Sequence, residues 1–123
     1  APQDADRMFR ETGVDGVMLG RGVLTNPWLI RQCWDYLNGT EVKQASLSDR
    51  AEFMTAFLRN VNDRLPPPVA LGKMKKLGGC LSKGFPGSAH LRARLHSSST
   101  ADELFMALEE HFAGQLGAHG RRP

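Results

Sequence analysis

Apolar residues recur every three or four positions over most of the chain, which is the spacing of amphipathic helices. Proline, capping side chains and glycine mark where these helices begin and end, and Asn26 and Ser48 are two of the predicted caps. The predicted helices are Pro2–Thr12, Pro27–Leu37, Asp49–Leu65, Val69–Lys83, Ser88–His96 and a last one that follows a capping box of Thr100 and Glu103 and reaches Phe112. The pattern therefore predicts a chain that is mainly helical.

One short segment departs from the helical pattern. Val14–Leu19 is an apolar run between glycines, too brief for a helix and typical of a strand that is buried on both faces. Such a strand needs neighbours for its backbone N–H and C=O groups, and the sequence predicts no second strand. We therefore expect the C-terminal part of a larger α/β protein joined to a small helical domain. In this chain alone the strand should be unpaired, with Val17 and Leu19 exposed.

The composition changes after the polar stretch NGTEVKQAS, and this change predicts the domain boundaries. Residues 1–38 are predicted to be the incomplete end of the α/β domain, and residues 39–47 are predicted to be a linker. A helical domain is expected over residues 48–114, followed by a flexible tail over residues 115–123.

The overall composition narrows the class of protein. Its apolar content of 41% suits a globular protein, no apolar run is long enough to span a bilayer, and the first residues do not resemble a secretion signal. Cys33 and Cys80 are too far apart in sequence for a CxxC pair, and His96, His111 and His119 lack metal-ligand spacing. We expect a cytoplasmic protein with two reduced thiols and no metal site.

Positive charge is concentrated in one segment. From Arg64 to Ala101 there is no acidic residue, although the whole chain has 16 basic and 13 acidic residues. The basic residues of this segment are Arg64, Lys73, Lys75, Lys76, Lys83, Arg92 and Arg94. A uniform positive segment favours a polyanionic partner such as a nucleic acid, and the alternative interpretation is a solvated helix face.

The turn Gly20-Arg21-Gly22 follows the predicted strand directly. Glycines at the carboxyl end of a strand let backbone N–H groups approach an anion, and the next helix start favours negative charge. Arg21 would add a charge-assisted hydrogen bond to a phosphate or would pair with a carboxylate. A phosphate site and a simple tight turn are both compatible with this motif.

Two segments together resemble the tRNA-dihydrouridine synthases. ETGVDGVMLGRGVLTNPWLIRQ resembles the last strand of that family, with its GxDGVMxGRGxxxNPW pattern, and KMKKLGGCLSKGFPGSAHLRARL resembles its helical tail, with a Lys-rich helix and a KGxPG turn. Their order and separation also fit, so the resemblance covers about residues 2–112. It implies the last helix–strand–helix unit of a TIM (β/α)8 barrel followed by a small helical bundle.

The resemblance also implies an activity and its cofactors. Members of this family reduce the C5–C6 double bond of particular uridines in tRNA, with FMN as the bound hydride carrier and NADPH as the expected reductant. Gly20 and Arg21 match the Gly-Arg pair that holds the flavin phosphate. The catalytic Cys of the family lies in a mid-barrel loop that this chain lacks. Cys33 and Cys80 therefore have no catalytic role, and the chain alone is predicted to be inactive.

The Lys-rich helix and the turn after it are the predicted contact with tRNA. Lys73, Lys76 and Lys83 share one arc of a helical wheel with glycines, and Arg92 follows the connecting turn. Gly72, Gly78 and Gly79 are open to two interpretations, tight helix packing or close approach of RNA, and Phe85 is open to a core role or to base stacking.

Two alternatives remain at the level of function. The helical part would serve as a stand-alone RNA-binding module without catalytic activity, or the chain would be the tail of another flavin barrel with a small-molecule substrate. The basic helical domain disfavours the small-molecule enzyme. GGCL replaces the aromatic pair that many family members have at Gly78–Leu81, so the target uridine stays open. The expected partners are tRNA and the missing barrel segment of the same protein.

Overall fold

The computed structural model describes the backbone of residues 1–120 and the side chains of residues 1–114. The helices are α1 (Pro2–Thr12), α2 (Gly22–Thr25), α3 (Leu29–Leu37), α4 (Leu47–Arg64), α5 (Pro67–Leu81), α6 (Ser88–Ser97) and α7 (Ala101–Gly120). They form two compact units, an N-terminal unit, Ala1–Ala45, and a C-terminal unit that begins at Ser46. The prediction of a mainly helical chain is confirmed.

The C-terminal unit is a bundle of four helices with one hydrophobic core. Helix α4 packs against α5 and α7, and α6 packs against the same two helices. Every helix of the unit contributes buried apolar side chains to a single cluster. Its fully buried members include Leu58 on α4, Met74 on α5, Leu95 on α6 and Leu108 on α7. This continuous cluster is the stabilising element of the unit, because burial of apolar area is the dominant favourable term in folding.

Local sequence signals place two of these helix starts. Ser46 and Asp49 form a reciprocal capping box at α4, with Asp49 N–H donating to Ser46 Oγ over 3.0 Å and Ser46 N–H donating to Asp49 Oδ2 over 3.2 Å. The predicted cap Ser48 is therefore wrong, because Ser48 lies within the first turn of the helix. At α7, the N–H of Glu103 donates to Thr100 Oγ1 over 3.2 Å, as the sequence predicts.

The N-terminal unit has few buried side chains. Helices α1 and α3 pack against each other, and the buried residues are Ala5, Gln32 and Cys33. Gln32 Nε2 donates to the carbonyl of Lys43 over 3.0 Å, which fixes the following polar stretch against α3. Asn26 is not the cap of α3, since Trp28 holds the N-cap position and no side chain caps this helix; the Asn26 amide instead donates to Gln32 Oε1 over 2.8 Å. The helix begins at Leu29 rather than at the predicted Pro27.

The segment predicted as a strand is not a strand here. No residue between 13 and 20 belongs to a helix or a strand, and no backbone hydrogen bond joins residues 14–19 to another segment of the described chain. A strand exists only where a neighbouring segment pairs with its backbone N–H and C=O groups, and residues 14–19 have no such neighbour among the described residues. Val17 and Leu19 are half-buried rather than exposed, whereas Met18 is 91% exposed.

Helix α7 extends to Gly120, into the segment that the sequence predicts as a tail. For the predicted tail, the side chains of residues 115–120, including His119, and all of residues 121–123 lie outside the described part of the structure. Among the described helices, none combines the length and apolar character that crossing a membrane requires.

Candidate functional site

Charge is divided between opposite corners of the C-terminal unit. Helix α5 has three lysines and no acidic residue, whereas α7 has four acidic residues and neither lysine nor arginine. The two helices lie diagonally across the bundle, because each packs mainly against α4 and α6. Lys73 and Lys76 of α5 are both exposed. The bundle therefore presents one positive and one negative side to solvent.

Lys83 and Arg92 continue the positive side beyond α5. Lys83 is exposed in the turn after α5, and Arg92 is half-buried on α6. Arg92 Nη1 donates to Ser88 Oγ over 3.1 Å, which orients the guanidinium along the first turn of α6. The structure thus places all four predicted tRNA contacts on α5, the turn and α6, which are consecutive and packed together. We call Lys73, Lys76, Lys83 and Arg92 the basic face.

The remaining basic residues of the segment are engaged differently. Arg94 Nη2 lies 2.7 Å from Glu110 Oε2 of α7, and Arg64 Nε donates to Asn60 Oδ1 over 2.8 Å. Lys75 is half-buried. Within the described residues, no member of the basic face has a carboxylate oxygen within 4.0 Å. The positive charge of the basic face is therefore available to an external anion.

The structure separates the roles of the three glycines on α5. A Cβ at Gly78 would lie 3.1 Å from Leu95 Cδ1, so this glycine allows close packing of α5 on α6. A Cβ at Gly79 would meet Arg92 Cδ at 3.9 Å, which is ordinary contact. Gly72 is exposed, and a Cβ there would meet nothing within 4 Å. Tight packing therefore explains Gly78 and does not explain Gly72.

The turn between α5 and α6 contains residues whose role the sequence does not reveal. Phe85 is buried with its ring 5.1 Å from the ring of Phe112, so it belongs to the core and not to a base-stacking surface. The guanidinium of Arg50 on α4 donates to the carbonyl of Lys83. Since the two residues are 33 positions apart, no local spacing reveals this contact. Its one sequence signal is Gly84, which stands where a side chain would collide with the guanidinium.

Gly20 and Arg21 lie just before the short helix α2. The carbonyls of these two residues accept hydrogen bonds from Val23 and Leu24, with N···O distances of 3.2 and 3.0 Å. In the described residues, the backbone N–H groups of Gly20, Arg21 and Gly22 donate to no protein acceptor. Arg21 is exposed, so three consecutive amides and a guanidinium are available on this turn. This donor set fits an anion such as a phosphate.

The two glycines of this turn have ordinary backbone conformations. Neither Gly20 nor Gly22 has a positive φ, so the turn does not require glycine for its backbone conformation. Gly22 is nevertheless constrained, because a Cβ there would lie 3.2 Å from Leu29 Cδ2. Close approach to Gly20 is unobstructed, since a Cβ there would meet nothing within 4 Å.

The two thiols lie in different units. Cys33 is buried in the N-terminal unit, Cys80 is half-buried in the C-terminal unit, and both are free. Among the residues that the structure describes, no three His, Cys, Asp or Glu side chains are grouped as metal ligands.

Comparison with known proteins identifies the family. The family model described as dihydrouridine synthase (Dus) matches residues 1–116. A probable tRNA-dihydrouridine synthase of Aquifex aeolicus (strain VF5) is 29% identical over 108 residues, covering 88% of this chain and 33% of that protein. A probable tRNA-dihydrouridine synthase of Rickettsia conorii (strain ATCC VR-613 / Malish 7) is 32% identical over 93 residues, covering 75% of this chain and 28% of that protein.

A third relative carries a more specific name. The tRNA-dihydrouridine(16) synthase of Neisseria meningitidis serogroup B (strain ATCC BAA-335 / MC58) is 30% identical over 104 residues, covering 80% of this chain and 30% of that protein. The chain spans about one third of the length of these curated relatives. The resemblance seen in the sequence is confirmed, and the chain belongs to the dihydrouridine synthase family.

Proposed function

We propose that this chain is the C-terminal part of a flavin-dependent tRNA-dihydrouridine synthase and that its C-terminal unit binds tRNA. The whole protein would reduce specific uridines in tRNA to 5,6-dihydrouridine. The family match over residues 1–116 and the names of the relatives support the reaction. The observation that carries the binding role is the basic face, which has four cationic side chains and no carboxylate partner in the described chain.

The N-terminal unit is proposed to be the end of the FMN-binding barrel. Backbone amides and the Arg21 guanidinium would hold the flavin phosphate, since this donor set is the one that a phosphate requires. FMN, when bound, supplies the hydride that reaches the uracil ring, and NADPH is the proposed reductant. The residues of this chain contribute the phosphate contact and no proton transfer. The catalytic residues are proposed to lie in the segment of the relatives that this chain does not span, so the chain alone should be inactive.

The binding role follows from the chemistry of the basic face. Lysine ammonium groups and an arginine guanidinium form charge-assisted hydrogen bonds with phosphate oxygens, and each phosphate that is neutralised releases counterions. Phosphate contacts position a nucleic acid without reading its bases. The C-terminal unit should therefore hold tRNA in place, and the choice of uridine should be made elsewhere in the whole protein.

Titration of labelled tRNA with the 123-residue chain at several salt concentrations tests this role. Affinity should fall steeply as salt rises, and a plot of log affinity against log salt should have a slope of roughly −0.7 to −0.9 for each phosphate contacted. Replacing Lys73 and Lys76 together by Ala should weaken binding to all tRNAs alike. It should also make the salt slope shallower by the amount expected for roughly two phosphate contacts. Lys43→Ala is the control, because Lys43 is an exposed lysine of the N-terminal unit.

Two outcomes of that titration would contradict the proposal. Binding that does not depend on salt would show that phosphate contacts are not its source. Equal loss of affinity in the double variant and in Lys43→Ala would show that the lysines act only through net charge, and the basic face would then be an ordinary solvated surface.

A second candidate is a stand-alone RNA-binding module. The observation that favours it is the hydrophobic core, whose buried members all lie between Ala51 and Phe112. A unit with its own core does not need a barrel in order to fold. The coding region upstream of Ala1 distinguishes the two candidates, because a continuous reading frame that encodes a barrel supports the enzyme and a start codon near residue 1 supports the module.

A further inference from the structure

The turn that joins α5 to α6 has an unusual backbone. Gly84 and Gly87 both have positive φ angles, of 94° and 70°, and residues with side chains rarely adopt this region. Phe85, which lies between them, donates its N–H to the carbonyl of Ser82 and accepts from the N–H of Ser88, both over 3.2 Å. Groups on other helices also contact this turn.

One guanidinium contacts three consecutive residues of this turn. Arg50 Nη2 donates to the carbonyl of Lys83 over 2.5 Å. The guanidinium carbon lies 5.3 Å from the centre of the Phe85 ring, in the range of a cation–π contact. A Cβ at Gly84 would lie 2.8 Å from Nη1, so the guanidinium occupies the space that the missing side chain leaves. Arg50 is half-buried in this position.

Helix α7 contacts the turn from a second direction. His111 Nε2 lies 3.1 Å from the carbonyl of Pro86, and the ring of Phe112 lies 5.1 Å from that of Phe85. The turn is therefore held from α4 by one arginine and from α7 by two ring side chains. These contacts anchor the turn to the two helices that carry no member of the basic face.

We propose that Arg50 is a positioning residue for tRNA binding. By holding the carbonyl of Lys83 it fixes the start of α6, and with it Arg92, relative to Lys73 and Lys76 of α5. This inference rests on the proposed function of the basic face. Arg50 would act through the geometry of the four contacts rather than by touching a phosphate itself. A turn free to move would present two of the four cations at variable distances from the other two, and each binding event would then have to order it.

The geometry explains why an arginine suits this position better than a lysine. A guanidinium is planar, so it donates in its plane to a carbonyl and lies with its face against an aromatic ring at the same time. An ammonium group carries the same charge, and its compact shape does not satisfy the carbonyl, the ring and the space beside Gly84 together. Charge and positioning are therefore separable by substitution.

Three variants of the 123-residue chain test the proposal. Arg50→Lys keeps the charge and removes the planar contact, and Arg50→Gln removes both. Gly84→Ala leaves Arg50 in place, inserts a methyl group where the guanidinium lies and puts alanine at a φ of 94°, which strains the backbone. Gly39→Ala is the matched control for backbone strain, since Gly39 also has a positive φ, of 70°, and a methyl group there meets nothing within 4 Å. Each is titrated with labelled tRNA, and amide hydrogen exchange of residues 83–88 is measured together with thermal unfolding by circular dichroism.

We expect Arg50→Lys, Arg50→Gln and Gly84→Ala each to weaken tRNA binding by about tenfold, which corresponds to the loss of one charge-assisted contact. Amides of residues 83–88 should exchange faster in all three, at temperatures where the bundle is still folded. The double variant Arg50→Lys with Gly84→Ala should bind tRNA almost as well as either single variant, because both substitutions remove the same contact. Gly39→Ala should bind as the parent chain does.

The possible failures are distinguishable. If the parent chain binds tRNA without salt dependence, the proposed function fails and this inference fails with it. If the parent chain binds as expected while Arg50→Lys and Gly84→Ala retain full affinity, only the positioning role of Arg50 is overturned. Full affinity in Arg50→Lys with loss in Arg50→Gln would assign Arg50 a direct charge contact with phosphate and would also overturn positioning. If a variant unfolds, those that remain folded decide between these outcomes.

Discussion

The two units of this chain bury apolar side chains to very different extents. In the C-terminal unit every helix contributes to one buried cluster. In the N-terminal unit two large apolar side chains of α3 are mostly exposed, Ile30 by 62% and Trp34 by 66%, and Cys33 is the buried one among the apolar residues of this helix. Met18 in the preceding segment is 91% exposed. The C-terminal unit has a core of its own, whereas the N-terminal unit has apolar surface that its own residues do not cover.

This difference identifies the N-terminal unit as the one with the most exposed apolar side chains to cover. Contiguous exposed apolar surface on a soluble protein marks a contact site or a risk of aggregation. The curated relatives are about three times as long as the part that this chain matches. We propose that the remaining barrel covers α3 and pairs with Val14–Leu19 in the whole protein. In its absence the same segment should lower solubility, because unpaired apolar strands associate with one another.

The largest expected effect comes from separating the units. Residues 46–123 should fold alone with a cooperative urea transition, because their core lies entirely within them. Residues 1–45 should show weak helical circular dichroism and no cooperative transition, since only Ala5, Gln32 and Cys33 are buried there. A cooperative transition in residues 1–45 would contradict the comparison.

A substitution of one apolar side chain should cost a few kcal/mol more of unfolding free energy in the C-terminal unit than in the N-terminal unit. Leu58→Ala removes a fully buried side chain from the C-terminal unit and should lower its free energy of unfolding by roughly 2–5 kcal/mol. Ile30→Ala in the N-terminal unit should change the urea transition little, because that side chain is mostly exposed. Similar costs for the two variants would mean that Ile30 is covered in solution.

The proposed flavin contact should show an effect of intermediate size. In the whole protein, Arg21→Ala should weaken FMN binding about tenfold, which is the loss expected for one charge-assisted hydrogen bond to phosphate. Arg7→Ala is the matched control, since Arg7 is an exposed residue of α1 with Glu11 as its nearest ionic partner, 4.0 Å away. For each of the two variants, the FMN retained after dialysis is measured by flavin absorbance. Equal retention in Arg21→Ala and the parent protein would remove the assignment.

The sequence predicts features that depend on nearby residues. The bounds of α1 agree with the prediction, and Thr100 caps α7 as expected, although the Glu103 carboxylate accepts from Ser99 N–H rather than from the N–H of Thr100. Where two local signals compete, the sequence does not decide, as with Ser46 and Ser48 before α4. Contacts between distant segments are not visible in any pattern, and the hydrogen bond from Arg50 to the Lys83 carbonyl is the main example.

The basic face could be predicted from the sequence only in part. Its charges are plain in the sequence, and so is the arc that Lys73 and Lys76 share. The prediction that Lys83 extends this arc on the same helix is wrong, because α5 ends at Leu81 and Lys83 lies in the turn. The ion pair of Arg94 with Glu110, which separates Arg94 from the basic face, requires the packing of α6 on α7. The motif predicts that Gly20 and Arg21 lie in a turn, and they do, whereas residues 14–19 form no strand because no described segment pairs with them.

The smallest expected effect distinguishes two glycines of one helix. Gly72→Ala should raise the free energy of unfolding by about 0.5–1 kcal/mol, because alanine favours helices and the added methyl group meets nothing. Gly78→Ala should gain less or should lose stability, since its methyl group would lie 3.1 Å from Leu95 Cδ1. Urea unfolding of both variants measures the difference. An equal gain in the two would show that α5 and α6 separate easily.

A side-by-side titration of labelled tRNA with residues 46–123 and with the 123-residue chain tests the central claim most directly. The claim is that the C-terminal unit is self-contained and holds tRNA through its basic face. It predicts that the two proteins bind tRNA with equal affinities and equal salt slopes, of roughly −3 to −4 for four phosphate contacts. Loss of salt-dependent binding in residues 46–123, with binding retained by the longer chain, would contradict it.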